Sequence, residues 1–139
     1  MATVNTYLYF NGNCENAFNF YSVVFRTAIS HMERYKNVPK TDRQIFKETD
    51  DKIMHATLPI STETCLMGAD NTAAFEASNA YSNFALIIHT DSKEEADRLF
   101  NELSESGQIQ VPMNLTFWGS YYGNCMDKFG VNWKITFSQ

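Results

Sequence analysis

The chain has 139 residues, 44% hydrophobic and 14% aromatic, which is material for one buried core rather than several. Its formal charge of −5 comes with no basic stripe, so no nucleic-acid partner is expected. The three cysteines, Cys14, Cys65 and Cys125, lack C-x-x-C spacing and are expected as reduced, buried thiols; with neither a signal peptide nor an apolar run near the ~18 residues of a membrane span, a cytoplasmic protein off the membrane is expected.

Asn5 to Phe10 is aromatic-rich and reads as a buried strand ending at the turn Asn11-Gly12. Asn13 then caps a helix over Cys14 to Phe25, in which Ala17, Phe20, Tyr21 and Val24 recur at i, i+3, i+4 and i+7 and share one face. Ala28 to Tyr35 reads as a strand, and the polar stretch Lys36 to Asp51, with Pro39, as an exposed excursion. Strands return at Ile53 to Ile60 and Thr64 to Gly68 around the turn Ser61-Thr62-Glu63. Asp70 to Ser82 is a small-residue loop that carries Phe75 and Tyr81 and is long enough to cover a cavity.

The second half opens with a continuous apolar strand in Asn83 to Thr90. Ser92-Lys93-Glu94-Glu95 is a capping box, in which hydroxyl and carboxylate satisfy the first free amides of a helix. Ala96, Leu99, Phe100 and Leu103 form its apolar stripe, and Gly107 is expected to end it in the left-handed conformation. Three strands follow, near Gln108 to Val111, Gly119 to Met126 and Val131 to Phe137, with Lys128-Phe129-Gly130 as the last hairpin turn.

A shift of 79 residues carries Ala17, Phe20, Tyr21 and Val24 onto Ala96, Leu99, Phe100 and Leu103, and the cap Asn13 onto Ser92. Past the excursion the shift falls to 67, so that Ile53 to Gly68 meets Ser120 to Ile135. Each half therefore reads β-α-β-β-β, repeat one over about 5–70 and repeat two over about 83–138, within a single domain over 1–139. The expected fold class is α+β, two βαβββ repeats whose curved mixed sheets surround a cleft lined by both halves.

On this frame, Tyr7-Leu8-Tyr9-Phe10-Asn11-Gly12-Asn13-Cys14-Glu15-Asn16-Ala17, Phe20-Tyr21, Phe117-Trp118-Gly119 and Asp127-Lys128-Phe129-Gly130-Val131-Asn132-Trp133 resemble the PhnB-like branch of the vicinal-oxygen-chelate superfamily, the glyoxalase/bleomycin resistance proteins and dioxygenases. The resemblance implies the glyoxalase/bleomycin resistance fold and a homodimer. Members of this branch are often labelled demethylubiquinone methyltransferases, but the implied fold is not a methyltransferase's, and the chain has no glycine-rich nucleotide turn.

The resemblance also says where metal-dependent relatives hold their ligands: near the middle of the first and last strands of each half. Those places are Thr6, Met67, Ala85 and Lys134, whose hydroxyl, thioether, methyl and ammonium groups make no site for a divalent transition ion. Neither a metal nor another cofactor is expected. The histidines, His31, His55 and His89, are scattered over three predicted strands and read as structural or surface residues, with His55 the first to inspect.

Trp118, Tyr121 and Tyr122, with Trp133 across the final hairpin, form an aromatic group able to line a pocket for a flat or apolar ligand; ordinary core packing is the competing reading. Phe75 and Tyr81 are candidates to close the same pocket. Lys134 is a candidate for holding an anionic ligand, or a carboxylate such as Asp70 or Glu63, against the competing reading of a solvated edge lysine. Asp127 is expected to shape the turn before Phe129-Gly130, and Cys14 would feel the positive end of the helix dipole without a histidine or asparagine placed beside it. The leading expectation is an unidentified small molecule bound in a metal-free aromatic cleft, with no reaction assigned. The alternative is a glyoxalase, isomerase or dioxygenase type of enzyme whose metal is held by unusual ligands such as His31, His55 or His89.

Overall fold

Alternation of side chains about the first strand decides what the first half can build. In β1 (Thr6–Phe10), Leu8 and Phe10 are buried while Tyr7 and Tyr9 point to the other face, so the strand is covered on one side only and is not the fully buried element its aromatic run suggests. The protein is described here by a computed structural model covering residues 2–37, 50–71 and 83–138. The excursion and the loop with Phe75 and Tyr81 lie almost wholly outside these residues. The chain divides into two compact units, Met1–Asn79 and Ala80–Gln139.

In the first unit β1 is followed by α1 (Cys14–Phe25), β2 (His31–Arg34), a 3-10 turn at Tyr35–Asn37, β3 (Ile53–Pro59) and β4 (Cys65–Asp70). The sheet order is β1-β4-β3-β2, with β1 parallel to β4 and the remaining pairs antiparallel. The second unit repeats the plan with β5 (Leu86–His89), α2 (Lys93–Ser104), β6 (Gln108–Leu115), β7 (Tyr121–Met126) and β8 (Asn132–Phe137) in the order β5-β8-β7-β6, with β5 parallel to β8. The internal repeat is therefore real at the level of elements: the 79-residue shift takes α1 onto the full extent of α2, and the 67-residue shift takes Cys65–Asp70 onto Asn132–Phe137.

The helices pack as their stripes require, with one correction. In α2 the buried residues are Ala96, Leu99, Phe100 and Leu103, as the spacing predicts. In α1 they are Cys14, Ala17, Phe18, Tyr21 and Val24, so Phe18 takes the place expected of Phe20, which is half-buried. The reason lies in the strand beneath. Gly68 has no side chain, and a Cβ there would run into the Phe18 ring and the Leu8 carbonyl. The equivalents in the second unit are Ile135, which fills that space itself, and Asp97, which is left to accept a hydrogen bond from the Tyr121 hydroxyl.

Helix ends also depart from the sequence patterns. Asn13 occupies the N-cap of α1 but its side chain makes no capping bond. The cap comes from 56 residues away, where buried Asp70 accepts from the Cys14 amide at 2.9 Å with one oxygen and from the Ile53 amide at 2.8 Å with the other. One carboxylate thus ties the start of α1 to the start of β3. The capping box of α2 forms, the Ser92 hydroxyl accepting from the Glu95 amide, while the Glu95 carboxylate accepts from Asp91, one residue before the cap. Gly107 does not provide the left-handed residue, which is Ser106 with φ 62°. Glycine stands at 107 because a Cβ would collide with the Met126 carbonyl.

Strands β2 and β5 are shorter than the stretches Ala28 to Tyr35 and Asn83 to Thr90 expected for them, and β6 and β7 differ in extent as well. β6 runs on to Leu115 past Pro112, its pairing with β7 resuming at Asn114 and Tyr122 after irregularities on either side of Val111, which is where an edge strand tolerates a proline. β7 starts at Tyr121, because Thr116 to Ser120 closes a turn in which the Thr116 amide and hydroxyl both donate to the Ser120 carbonyl. At the last hairpin Gly130 has φ +87°, and Asp127 accepts from the Phe129 and Val131 amides and from the Trp133 indole at 2.8 Å. Asp127 shapes this turn as expected and also fixes a buried tryptophan.

Replacing Asp70 by alanine strands two buried amides on separate elements. Urea unfolding of Asp70→Ala is expected to show a loss of about 3 kcal/mol, whereas Asn13→Ala, which removes no capping bond, should fall within about 0.5 kcal/mol of the parent.

Candidate functional site

Opposite its helix, each sheet presents an open face whose membership follows from register. In the first unit, His31, Thr57, Met67 and Tyr7 stand in one row across β2, β3, β4 and β1. Glu33 pairs with His55, and Ala69 with Tyr9, in the next. The Tyr7 hydroxyl lies 3.2 Å from His55 Nδ1, and His55 Nε2 lies 2.9 Å from the Thr57 hydroxyl. The rings of His31 and Tyr7 each lie 5.7 Å from that of His55, and Tyr9 stacks at a tilt 5.2 Å from Tyr7. Tyr7 and Tyr9 are 38% and 60% exposed, so a flat molecule has an aromatic surface to lie on.

In the second unit Ile87 pairs with Lys134, Lys134 with Asn124, and Tyr122 with Thr136, which puts these side chains on the open face. Lys134 Nζ donates to the Tyr122 hydroxyl at 2.8 Å, and Trp118 lies 6.4 Å from the Tyr122 ring at a tilt of 60°. Trp118 belongs to the turn before β7 and is 61% exposed, with Phe117 edge-on to it at 4.9 Å. Tyr121, next in sequence to Tyr122, points the other way: its hydroxyl donates to Asp97 of α2 and Lys93 lies over its ring. Trp133 likewise faces the core. Among the candidates, the structure brings together Trp118, Tyr122 and Lys134; it does not bring Tyr121 or Trp133 to them.

Asp70 and Glu63 are accounted for otherwise. Both oxygens of Asp70 are held by backbone amides, and Glu63 is an exposed residue of the β3–β4 turn. Phe75 and Tyr81 lie outside the described residues.

The pairing register also shows which residues stand beside Met67 and Lys134, two of the positions that the resemblance names. Met67 stands beside Tyr7, whereas Thr6 is offset from it by one residue, so Tyr7 is the first-strand position next to Met67. Ala85 precedes β5, and the strand residue beside Lys134 is Ile87. A phenol, a thioether, an aliphatic chain and an ammonium do not fit a divalent transition ion any better than the set expected from sequence. Among the described residues, no three of His, Cys, Asp and Glu are grouped to hold a metal.

Comparison with known proteins agrees with the fold. The family model described as 3-demethylubiquinone-9 3-methyltransferase matches residues 2–136. The chain belongs to this family. Its place is the PhnB-like branch of the vicinal-oxygen-chelate superfamily. Protein YjdN of Escherichia coli K12 is 30% identical over 139 residues, covering 95% of this chain and 92% of its own. The crystal structure of protein PA1353 from Pseudomonas aeruginosa is 34% identical, with a TM-score of 0.87 over 100% of this chain and 99% of that one. A PhnB protein from Bacillus cereus, titled a 3-demethylubiquinone-9 3-methyltransferase, is 26% identical with a TM-score of 0.76 over 99% and 100% of the two chains. A glyoxalase/bleomycin resistance protein/dioxygenase family enzyme from Burkholderia phytofirmans, 14% identical with a TM-score of 0.65 over 98% and 100%, shares the fold. Among the described residues of this PhnB-like chain, no helix is long and apolar enough to cross a membrane.

The thiols do not supply a nucleophile at the helix start. Burial, followed by the nearby Asp70 and Glu15 carboxylates, pushes the Cys14 thiol up to about 12, against the pull of the helix dipole. Burial and Asp127 raise Cys125 to about 11. Cys65 is half-buried, so native protein is expected to react with one equivalent of a disulfide thiol reagent at pH 8, at Cys65, and with three only after unfolding.

His55 has the opposite displacement. Burial, and then the neighbouring His31, hold its pKa below 6.5. The folded chain therefore disfavours the imidazolium, the unfolded chain binds more protons below about pH 6.5, and the fold loses stability as the pH falls through that region. NMR titration is expected to give His55 an apparent pKa below 6.5, and His31→Gln should raise it only part of the way, since the burial contribution remains.

Proposed function

We propose that this chain is a small-molecule-binding protein of the PhnB-like branch, one domain over 1–139, that takes a flat anionic ligand on the open face of its second sheet without a divalent metal at the superfamily positions. The observation that carries this reading is the setting of Lys134. Its ammonium stands on an aromatic face with the Tyr122 hydroxyl as its hydrogen-bond partner, and among the described residues no carboxylate pairs with it. A cation held by Tyr122, whose ring also meets Trp118, and neutralised by neither Asp nor Glu among the described residues, is suited to an aromatic carboxylate: the rings take the flat body and the ammonium takes the charge. The methyltransferase activity described for the family, and suggested for its Bacillus cereus member, gains no support from these groups, which offer no nucleotide-binding turn. A cytoplasmic homodimer belongs to the same reading, resting on the superfamily resemblance, and light scattering tests the dimer.

Calorimetry with 2-naphthoate tests the site. Lys134→Gln and Trp118→Ala are each expected to weaken binding about tenfold, the size of one charge-assisted hydrogen bond or one stacked ring. Absence of binding to the parent chain, or equal binding by parent and both variants, would overturn the reading.

A further inference from the structure

The open face of the first sheet carries chemistry that the proposed ligand site does not use. His55 is fixed at both ring nitrogens, by Tyr7 on one side and Thr57 on the other, and neither partner is charged. In the neutral tautomer that lets Nδ1 accept from the Tyr7 hydroxyl, the ring proton is on Nε2 and points at the Thr57 oxygen, so one tautomer satisfies both contacts. Among the described residues, the titratable groups facing His55 are Tyr7 and Tyr9 from β1 and His31 and Glu33 from β2; Met67 and Ala69 from β4 add none. Tyr7 is partly open to solvent, and the more exposed Tyr9 ring beside it gives a ligand a surface to lie on with an edge group directed at the Tyr7 oxygen.

We propose that Tyr7 and His55 form a proton-transfer pair for a flat ligand with a weakly acidic hydroxyl, a phenol or an enol, resting against Tyr9. The ligand O–H bond breaks as its proton passes to the Tyr7 oxygen, and the Tyr7 proton passes to His55 Nδ1. The ligand is left as an oxyanion and His55 as an imidazolium, so protons and charge balance without a metal or other co-reactant. Thr57 is a positioning residue that holds the ring. The low proton affinity of free His55 keeps it in its acceptor form at neutral pH, and the oxyanion supplies the opposite charge that the imidazolium otherwise lacks. This inference rests on the first sheet alone and stands apart from the Lys134 reading.

The test uses 4-nitrophenol, whose ionised form alone absorbs strongly in the visible, and 4-nitroanisole, which has the same ring and no proton to give. On binding to the intact chain near pH 6, 4-nitrophenol is expected to show at least twice the ionised fraction of free dye at that pH, and the His55 nitrogen resonances should move to imidazolium positions. His55→Gln should remove the gain in ionised dye while the dye still binds. Tyr7→Phe should reduce it, and 4-nitroanisole should leave the His55 resonances unmoved in the parent chain. Failure of the parent to bind 4-nitrophenol, binding without proton movement, or an unchanged gain in His55→Gln overturns the proposal. Binding of 2-naphthoate by the same preparation tells that failure apart from failure of the Lys134 site.

Discussion

Each repeat sets one helix against one four-stranded sheet, and a single helix can cover only one of the sheet's two faces. The consequence runs through every strand. Leu8, Phe10, Gly68 and Ala56 on one side, and Trp133, Ile135 and Cys125 in the second repeat, lie under the helices and are almost wholly buried. Most of the alternate residues are left to water or a ligand, and beside the charged Glu33 and Lys134 they include Tyr7, Tyr9, His31 and His55 in one sheet and Tyr122 and Asn124 in the other. The candidate chemistry of this protein is the set of side chains that the helices cannot reach.

Two buried carboxylates hold that arrangement in register. Asp70 joins the first turn of α1 to β3, and Asp127 joins the last hairpin to the Trp133 indole. Each is short, each spends its oxygens on donors that would otherwise be unpaired in the core, and neither is available to a ligand. The second gives a physical reason for the stretch from Asp127 to Trp133 that carries part of the family resemblance: aspartate, a glycine with positive φ and tryptophan form one unit at the hairpin.

Much of the fold was legible in the sequence because it depends on local periodicity. Both helices, the α2 capping box, the turn at Asp127 and the repeat with its two shifts follow from spacing alone, and the bounds of α1 agree at both ends. Where the reading went astray, a distant residue intervened. Phe18 displaces Phe20 from the core because Gly68, 50 positions on, leaves room for it. Asn13 loses its capping role to Asp70, and Gly107 answers to the Met126 carbonyl rather than to the helix end. The candidate site divides in the same way: Tyr121 and Tyr122 are neighbours in sequence, yet strand alternation sends one to Asp97 and the other to Lys134.

By itself the sequence determined the class of the fold, the two repeats and the family, since each depends on residue type at a fixed spacing. Only the tertiary structure decided which residues share a face: that Tyr7 rather than Thr6 stands beside Met67, that Tyr122 meets both Lys134 and Trp118, and that His55 lies between Tyr7 and Thr57. The physical reason is the two-residue period of a strand. A shift of one position leaves composition and spacing almost unchanged, yet it moves a side chain from the buried face of a sheet to the open one.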